Sequence, residues 1–328
     1  MRSFFVKHWF LVFLMLAVGF TLWMPRVMHP ATDFWEPRLT MGASLFLMAF
    51  TMPTRSLIAE FRQPYASLWA VFLSYGLVPV CAWLLGHATR HEDLRIGLIL
   101  ISAVPCTLSS AILWTRMAGG NEATALLAVM GTTFLSWILT TAWLYGLTGT
   151  AAEIQLVAVA FDLIVSLILP VILGQALRAI SSCARIAEQN KVFISALSQC
   201  FVLAIVLKAG VTVGDKLHAQ YAEDAAEIFA WGIGLAVTLH LFALGSGLLT
   251  GRWLRFDRGR QIAIGLSASQ KTLPVSLVLY EQYYTAYPYA VIPLLFYHVG
   301  QLLLDTVIAK QIAKEGPAPA SEEPGPLA

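Results

Sequence analysis

Charge is what this sequence has least of. Only 12% of its 328 residues are Asp, Glu, Lys or Arg, while 58% are hydrophobic. Soluble domains carry about 25% charged residues, so this chain lacks the polar surface to coat one, and its mean hydropathy of +0.71 agrees. Strict apolar–polar alternation is missing as well, which excludes a transmembrane β-barrel. No GxGxxG, P-loop, HExxH or CxxC motif occurs, so no nucleotide, resident metal or other cofactor is implied. The four cysteines (Cys81, Cys106, Cys183, Cys200) are scattered and read as small packing residues, without a disulfide framework or a metal site. The basic residues are spread over many short segments and form no nucleic-acid patch.

What is present is a series of long apolar runs. A membrane-spanning helix needs about 20 mostly apolar residues, because lipid leaves the backbone to satisfy itself. Ten such spans are predicted, at 9–24, 39–58, 65–87, 94–116, 122–148, 155–179, 191–213, 226–250, 259–281 and 286–310. Pro53, Arg55 and Glu60 crowd the end of the second. The first resembles a signal peptide, but its apolar stretch is long and no small-residue cleavage site follows, so it reads as a retained helix. The tail at 315–328 is rich in Pro, Ala and Glu and is expected to be disordered. Fourteen of the 21 Lys and Arg fall on the side that holds both termini, six on the other, and Lys271 on neither. That asymmetry places the termini in the cytoplasm. Trp9, Trp23, Trp35, Trp231, Trp253 and several tyrosines from Tyr280 to Tyr289 read as an interfacial belt.

Two spans are interrupted. In the fourth, Pro105 lies at mid-span, followed by Thr107, Ser109 and Ser110. Proline removes a donor and clashes with the preceding turn, so the helix should break near Val104–Thr107. In the ninth, Ser267, Ser269, Gln270, Lys271, Thr272 and Pro274 cluster at the same depth. Lys271 stands about twelve residues from Arg260, too far to snorkel readily, and a lysine at the bilayer centre costs roughly 2.5–3.5 kcal/mol. It reads either as a cation lining a polar cavity or as a lysine bonded to helix-end carbonyls. Each interrupted span is the fourth in a set of five, a pattern that points to inverted repeats with a transport site at the midplane. Positive half-helix N-termini there suit an anionic substrate.

At these motifs the chain resembles the bile acid:sodium symporter superfamily, in particular its SBF-like branch. The resemblance is carried by MGASLFLMAFTMP (41–53), PCTLSSAILWTRMAGGNEA (105–123), LILPVILGQALR (167–178) and SASQKTLP (267–274). It implies an all-α polytopic protein of ten transmembrane helices in two inverted five-helix repeats, 1–150 and 151–314. Broken helices 4 and 9 would cross in a core domain beside a panel domain. It also implies ion and substrate binding at Thr107, Ser109, Ser110, Asn121, Glu122, Ser267, Ser269, Gln270, Lys271 and Thr272. The family's sodium ligands carry over poorly. Ser110 matches a family serine, but Ala111 stands where its asparagine would be, Ala125 and Val129 where hydroxyls would be, and Gly265 where the shared glutamate would be. Ser269, with Gln270 beside it, falls near the family's glutamine. Sodium prefers oxygen ligands with a carboxylate among them. Without that carboxylate, Lys271 is expected to take the role of an ion, or to couple transport to protons; Na⁺ and H⁺ are both candidate coupling ions.

Other polar residues near the membrane have two readings each. Asp162 is an interfacial anchor or the partner of a buried donor. Glu122 caps span 5 or belongs to the site. Asp305 has Lys271 and His298 as candidate partners. His240 and His298 read as satisfied packing groups. Three functions compete. The leading one is a secondary transporter in the plasma membrane (the inner membrane of a bacterium) that moves a small organic anion by alternating access. The others are a Ser–Lys hydrolase built on Ser267 or Ser269, and a non-transporting membrane regulator. The lipid bilayer is the one partner that composition demands.

Overall fold

The computed structural model describes residues 2–52, 60–148, 156–219 and 225–314. Pro53 and Arg55, the junction at 150–151 and the tail at 315–328 lie outside the described residues. Among the described residues every regular element is helical. In chain order these are α1 (Arg2–Trp23), α2 (Pro25–Thr32), α3 (Pro37–Thr51), α4 (Tyr65–Gly86), α5 (Glu92–Ala103), α6 (Ser110–Met117) and α7 (Glu122–Thr148). They continue with α8 (Leu156–Ala179), α9 (Ser181–Gln189), α10 (Lys191–Ala219), α11 (Ala225–Trp253), α12 (Arg258–Ser269), α13 (Leu273–Tyr283) and α14 (Val291–Lys314).

Seven stretches are long and apolar enough to cross a membrane, or eight if α1 and α2, bent by 114°, count as one broken span. The segments expected at 39–58 and 94–116 are not continuous long helices. The first is the 15-residue α3, which ends where Met52 turns extended (ψ 129°), as a residue before proline must. The second is divided between α5 and α6.

Helix ends follow local chemistry. The Asp257 carboxylate accepts the Arg260 N–H at 3.0 Å and starts α12. α6 is closed just past its end by Gly119, whose φ of +75° only glycine adopts without strain, and Gly120 N–H closes the turn on Thr115 O at 2.8 Å.

The exterior is apolar. Leu39, Val157 and Val192 are each at least three-quarters exposed. Such side chains are a liability in water and at home in hydrocarbon. Inside, the helices close on small residues. A Cβ on Gly247 of α11 would lie 2.6 Å from the Cα of Gly265 of α12, so the two helices cross backbone to backbone. A Cβ on Gly97 would lie 2.0 Å from the Ala290 carbonyl. Small residues permit this close packing where water supplies no driving force between helices. The pair α12–α13 sits at the centre, with its most apolar stretch wholly buried. Of the aromatic residues expected at the interface, Trp23 and Trp253 are exposed, but Tyr280 and Tyr284 are completely buried. Their hydroxyls find partners inside, Tyr280 on Pro288 O and Tyr284 on Thr148 Oγ1, so a tyrosine at a span end need not face lipid.

Candidate functional site

Two chain breaks meet at the centre of the fold. α5 stops at Ala103, Val104 is extended (ψ 159°), and the helix resumes at Ser110. α12 stops at Ser269, Gln270 and Thr272 are extended, and α13 begins at Leu273. Pro105 lies inside the first break. Pro274 lies in the first turn of α13, where its missing N–H removes no intrahelical bond. The two breaks are joined by the Thr272 N–H, which donates to Pro105 O at 3.1 Å.

Backbone groups freed in lipid must find partners inside the protein. Threonines of α7 serve the first break: Thr140 Oγ1 donates to Ala103 O at 2.7 Å, and Thr132 Oγ1 accepts the Cys106 N–H at 3.2 Å. Gln301 of α14 serves the second, accepting the Lys271 N–H at 2.9 Å and donating to Lys271 O at 3.0 Å. The same amide contacts His298 Nδ1 at 2.8 Å.

Lys271 is completely buried. Its ammonium donates to Ser74 O at 2.8 Å, Ser74 Oγ at 2.9 Å and Val104 O at 3.2 Å, with the Tyr75 ring centroid 5.4 Å away. All three of its donors are used. The Ser74 carbonyl is free because α4 passes through a π-turn at Leu73–Leu77, where Val78 N–H donates five residues back to Leu73 O and bypasses Ser74. Such turns release a carbonyl at one point of a helix. Of the two readings of Lys271, the cavity-lining cation is therefore corrected. The ammonium is completely buried and points into the π-turn of α4 and the carbonyl at the end of α5. No Ser–Lys pair forms either: Ser267 Oγ makes no hydrogen bond, and Ser269 Oγ donates to Leu266 O.

A second polar cluster lies beside the second break. Asp305 and His240 are both completely buried, with Oδ1 and Nε2 2.9 Å apart. The other Asp305 oxygen accepts from Gln270 Nε2. Gln270 Oε1 accepts from Thr107 Oγ1 at 3.1 Å and Ser110 Oγ at 2.7 Å. His240 Nδ1 lies 3.4 Å from Ser269 O, which also receives the Tyr297 hydroxyl at 2.7 Å. Neither expected partner of Asp305 is its partner. Lys271 and His298 bond elsewhere, and the carboxylate takes His240 and Gln270. His240 is thus no plain packing residue.

Thr107, Ser109, Ser110 and Thr272 line an open cleft of about 200 Å³. Its other walls include Phe10, Leu45, Trp114 and Leu302. The cleft is therefore an apolar slot with a row of hydroxyls from both breaks along one side. His298 is its one titratable lining residue among the described residues. Asn121 and Glu122 lie outside it. Asn121 Oδ1 accepts the Thr124 N–H at 3.1 Å, so Asn121 is the cap expected of Glu122. Glu122 instead forms a two-pronged pair with Arg116 at 2.8 and 2.6 Å on the exposed surface. Asp162 is the partner of two donors: it accepts from Arg38 at 3.0 Å and from the Tyr283 hydroxyl, tying α8 to α3 and α13.

The positions that correspond to sodium ligands are filled by packing. Ala111, Ala125 and Val129 are completely buried. A Cβ at Gly265 would lie 2.9 Å from Leu248 Cγ and 3.2 Å from Leu244 O, so a glutamate has no room there. Among the described residues no three His, Cys, Asp or Glu side chains gather at metal-binding distance.

Sequence reasoning missed Ser74, Gln301 and the pairing of His240 with Asp305. Gln301 and Asp305 carried a signal, as polar residues four apart in an apolar helix and so on one face. Ser74 carried a faint one in Pro79, which leaves the Tyr75 carbonyl without its usual donor.

The SBF-like CPA transporter family matches this chain over residues 8–314. The chain is 22% identical over 322 residues to sodium/bile acid cotransporter 7 of Danio rerio, covering 93% of this chain and 94% of that protein. It is 22% identical over 318 residues to the protein of the same name in Mus musculus, covering 93% of this chain and 92% of that protein. It is also 27% identical over 243 residues to the probable sodium/metabolite cotransporter BASS4, chloroplastic, of Arabidopsis thaliana, covering 69% of this chain and 54% of that protein.

Proposed function

The chain belongs to the SBF-like CPA transporter family, and from that premise we propose that it moves a small amphipathic organic anion across the plasma membrane by alternating access. It does so with ten membrane passages in two inverted five-helix repeats, 1–150 and 151–314, and with both termini cytoplasmic. The observation that carries this reading is the cleft at the joined breaks. Its apolar walls suit a hydrocarbon body, and its hydroxyls at Thr107, Ser109, Ser110 and Thr272 suit a polar head. The relatives named for bile acids and metabolites support the same substrate class. The cleft is walled by Phe10 in the first half of α1 and Trp114 near the end of α6, so on this orientation it opens to the cytoplasm. The Arg38–Asp162–Tyr283 link ties the opposite end shut.

Coupling is to protons. The Lys271 ammonium does for the Ser74 and Val104 carbonyls what a bound cation would do, and the glutamate of sodium-coupled members has no space at Gly265. The test is substrate counterflow in proteoliposomes, scanned across organic anions under Na⁺ or H⁺ gradients. Uptake driven by the proton gradient and indifferent to Na⁺ is expected. Sodium-dependent uptake that survives Lys271→Ala overturns the coupling, and silence under every gradient favours a non-transporting regulator.

A further inference from the structure

The buried cluster around Asp305 holds more hydrogen-bond information than packing requires. Both ring nitrogens of His240 face acceptors: Nε2 the Asp305 carboxyl at 2.9 Å, Nδ1 the Ser269 carbonyl at 3.4 Å. The second Asp305 oxygen accepts from the Gln270 amide nitrogen, the role of a carboxylate. The pair is a carboxylate against an imidazole, both completely buried.

This charge state dictates the polarity of the cleft. An ionised Asp305 only accepts, so the Gln270 amide must turn its N–H toward it. The amide oxygen then faces Thr107 Oγ1 and Ser110 Oγ, at 3.1 and 2.7 Å. Both hydroxyls spend their protons inward, or on each other, and show lone pairs to the cleft. Lone pairs repel an anion.

We propose that the Asp305–His240 pair is the proton-binding site and that Gln270 relays its occupancy to the cleft as a reversal of hydrogen-bond polarity. This inference rests on the anion-transporter reading above. When a proton from water binds the outer Asp305 oxygen, the carboxylate becomes a carboxylic acid and donates. The amide rotates half a turn, its oxygen accepts from Asp305, and its N–H₂ donates toward Thr107 and Ser110. Their hydroxyl protons turn into the cleft, where an anion accepts them. One proton and one monovalent anion then enter together with no net charge.

The other titratable groups around the pair are placed differently. Tyr297 on α14 stands edge-on to His240 with its centroid 5.6 Å away and spends its hydroxyl on Ser269 O. Cys106 lies in the first break, with its thiol toward Thr107 O. Lys271 points to Ser74 and Val104, and His298 is bonded to Gln301. These leave the outer Asp305 oxygen to Gln270.

The full chain in proteoliposomes tests this with two readouts. Infrared difference spectra between neutral and acid pH, taken without substrate, should show a carboxylic acid C=O band that Asp305→Asn abolishes. Gln270→Leu should keep a shifted band. Uptake of radiolabelled cholate should accelerate on acidification by roughly tenfold, the factor that accompanies one or two added charge-assisted hydrogen bonds, and Gln270→Leu should flatten that pH dependence. Gln270→Leu leaves the pair intact, so the test stands even where Asp305→Asn does not fold. A missing band, or full pH dependence retained in Gln270→Leu, overturns the switch. Because the infrared readout contains no substrate, a band with no uptake of any organic anion retains the proton site and overturns the transporter reading instead.

Discussion

Replacing Lys271 with methionine keeps most of the length of the side chain and deletes its charge. In the wild type the ammonium makes three hydrogen bonds, to Ser74 O, Ser74 Oγ and Val104 O. Hydrogen bonds to a charged group contribute about 1.5–3 kcal/mol each, so the gross loss is roughly 4–9 kcal/mol. Against this, the variant no longer buries a cation, which relieves roughly 2.5–3.5 kcal/mol. The balance is a destabilisation of about 3 kcal/mol. For a chain this size that lowers the melting temperature by roughly 4 °C. Ser74→Ala is the internal scale: it deletes the hydroxyl but keeps the carbonyl, and should cost about 1.5–3 kcal/mol. The assay is thermal unfolding of the purified protein in detergent, followed by tryptophan fluorescence. A Lys271→Met protein that melts at or above the wild-type temperature refutes the reasoning. It would mean that the ammonium is tolerated at the crossing and does not stabilise it.

Other outcomes follow from the same geometry. Gly97→Ala should destabilise by about 1–3 kcal/mol, because its Cβ would sit 2.0 Å from the Ala290 carbonyl; urea or thermal unfolding checks it. Gly265→Glu should not create sodium binding, since Leu248 and Leu244 occupy the space; isothermal titration with Na⁺ and a melting curve read both halves of that statement. Tyr283→Phe removes a link from α13 to Asp162 of α8, worth about 1 kcal/mol, and should speed maleimide labelling of the buried Cys106 by roughly fivefold. On the loop side, Arg178 holds the Glu188 carboxyl below the usual glutamate range through their hydrogen bond. That contact is present above the unfolded-state value and is lost as pH falls through the lowered one. The wild type should therefore lose a small increment of stability on acidification that Glu188→Gln lacks, read by melting curves across acid pH.

The sequence by itself determined the solvent, the helical class and the places where helices stop. Those are local properties. Hydropathy is a sum over neighbouring residues, and Pro105 acts on the turn that contains it, so α5 ends at Ala103 beside it. The clustering of Ser, Gln, Lys and Thr at 267–272 likewise marked the second break. The glycine at 265 was readable as a missing carboxylate, though not as the floor of a helix crossing.

What only the tertiary structure decided is who meets whom. Ser74 and Lys271 are 197 positions apart, and no periodicity links them; a π-turn in one helix frees a carbonyl that an ammonium in another fills. His240 and Asp305 are 65 apart, and Thr107 and Gln270 are 163 apart. Whether Lys271 faces a cleft or a carbonyl depends on the rotation of α4 against the breaks, which is set by packing. The sequence required Lys271 to be satisfied somewhere, because a bare charge in hydrocarbon is too costly to keep. The fold settled that a π-turn carbonyl and a helix-end carbonyl satisfy it, and left the carboxylate of Asp305 to His240 and Gln270.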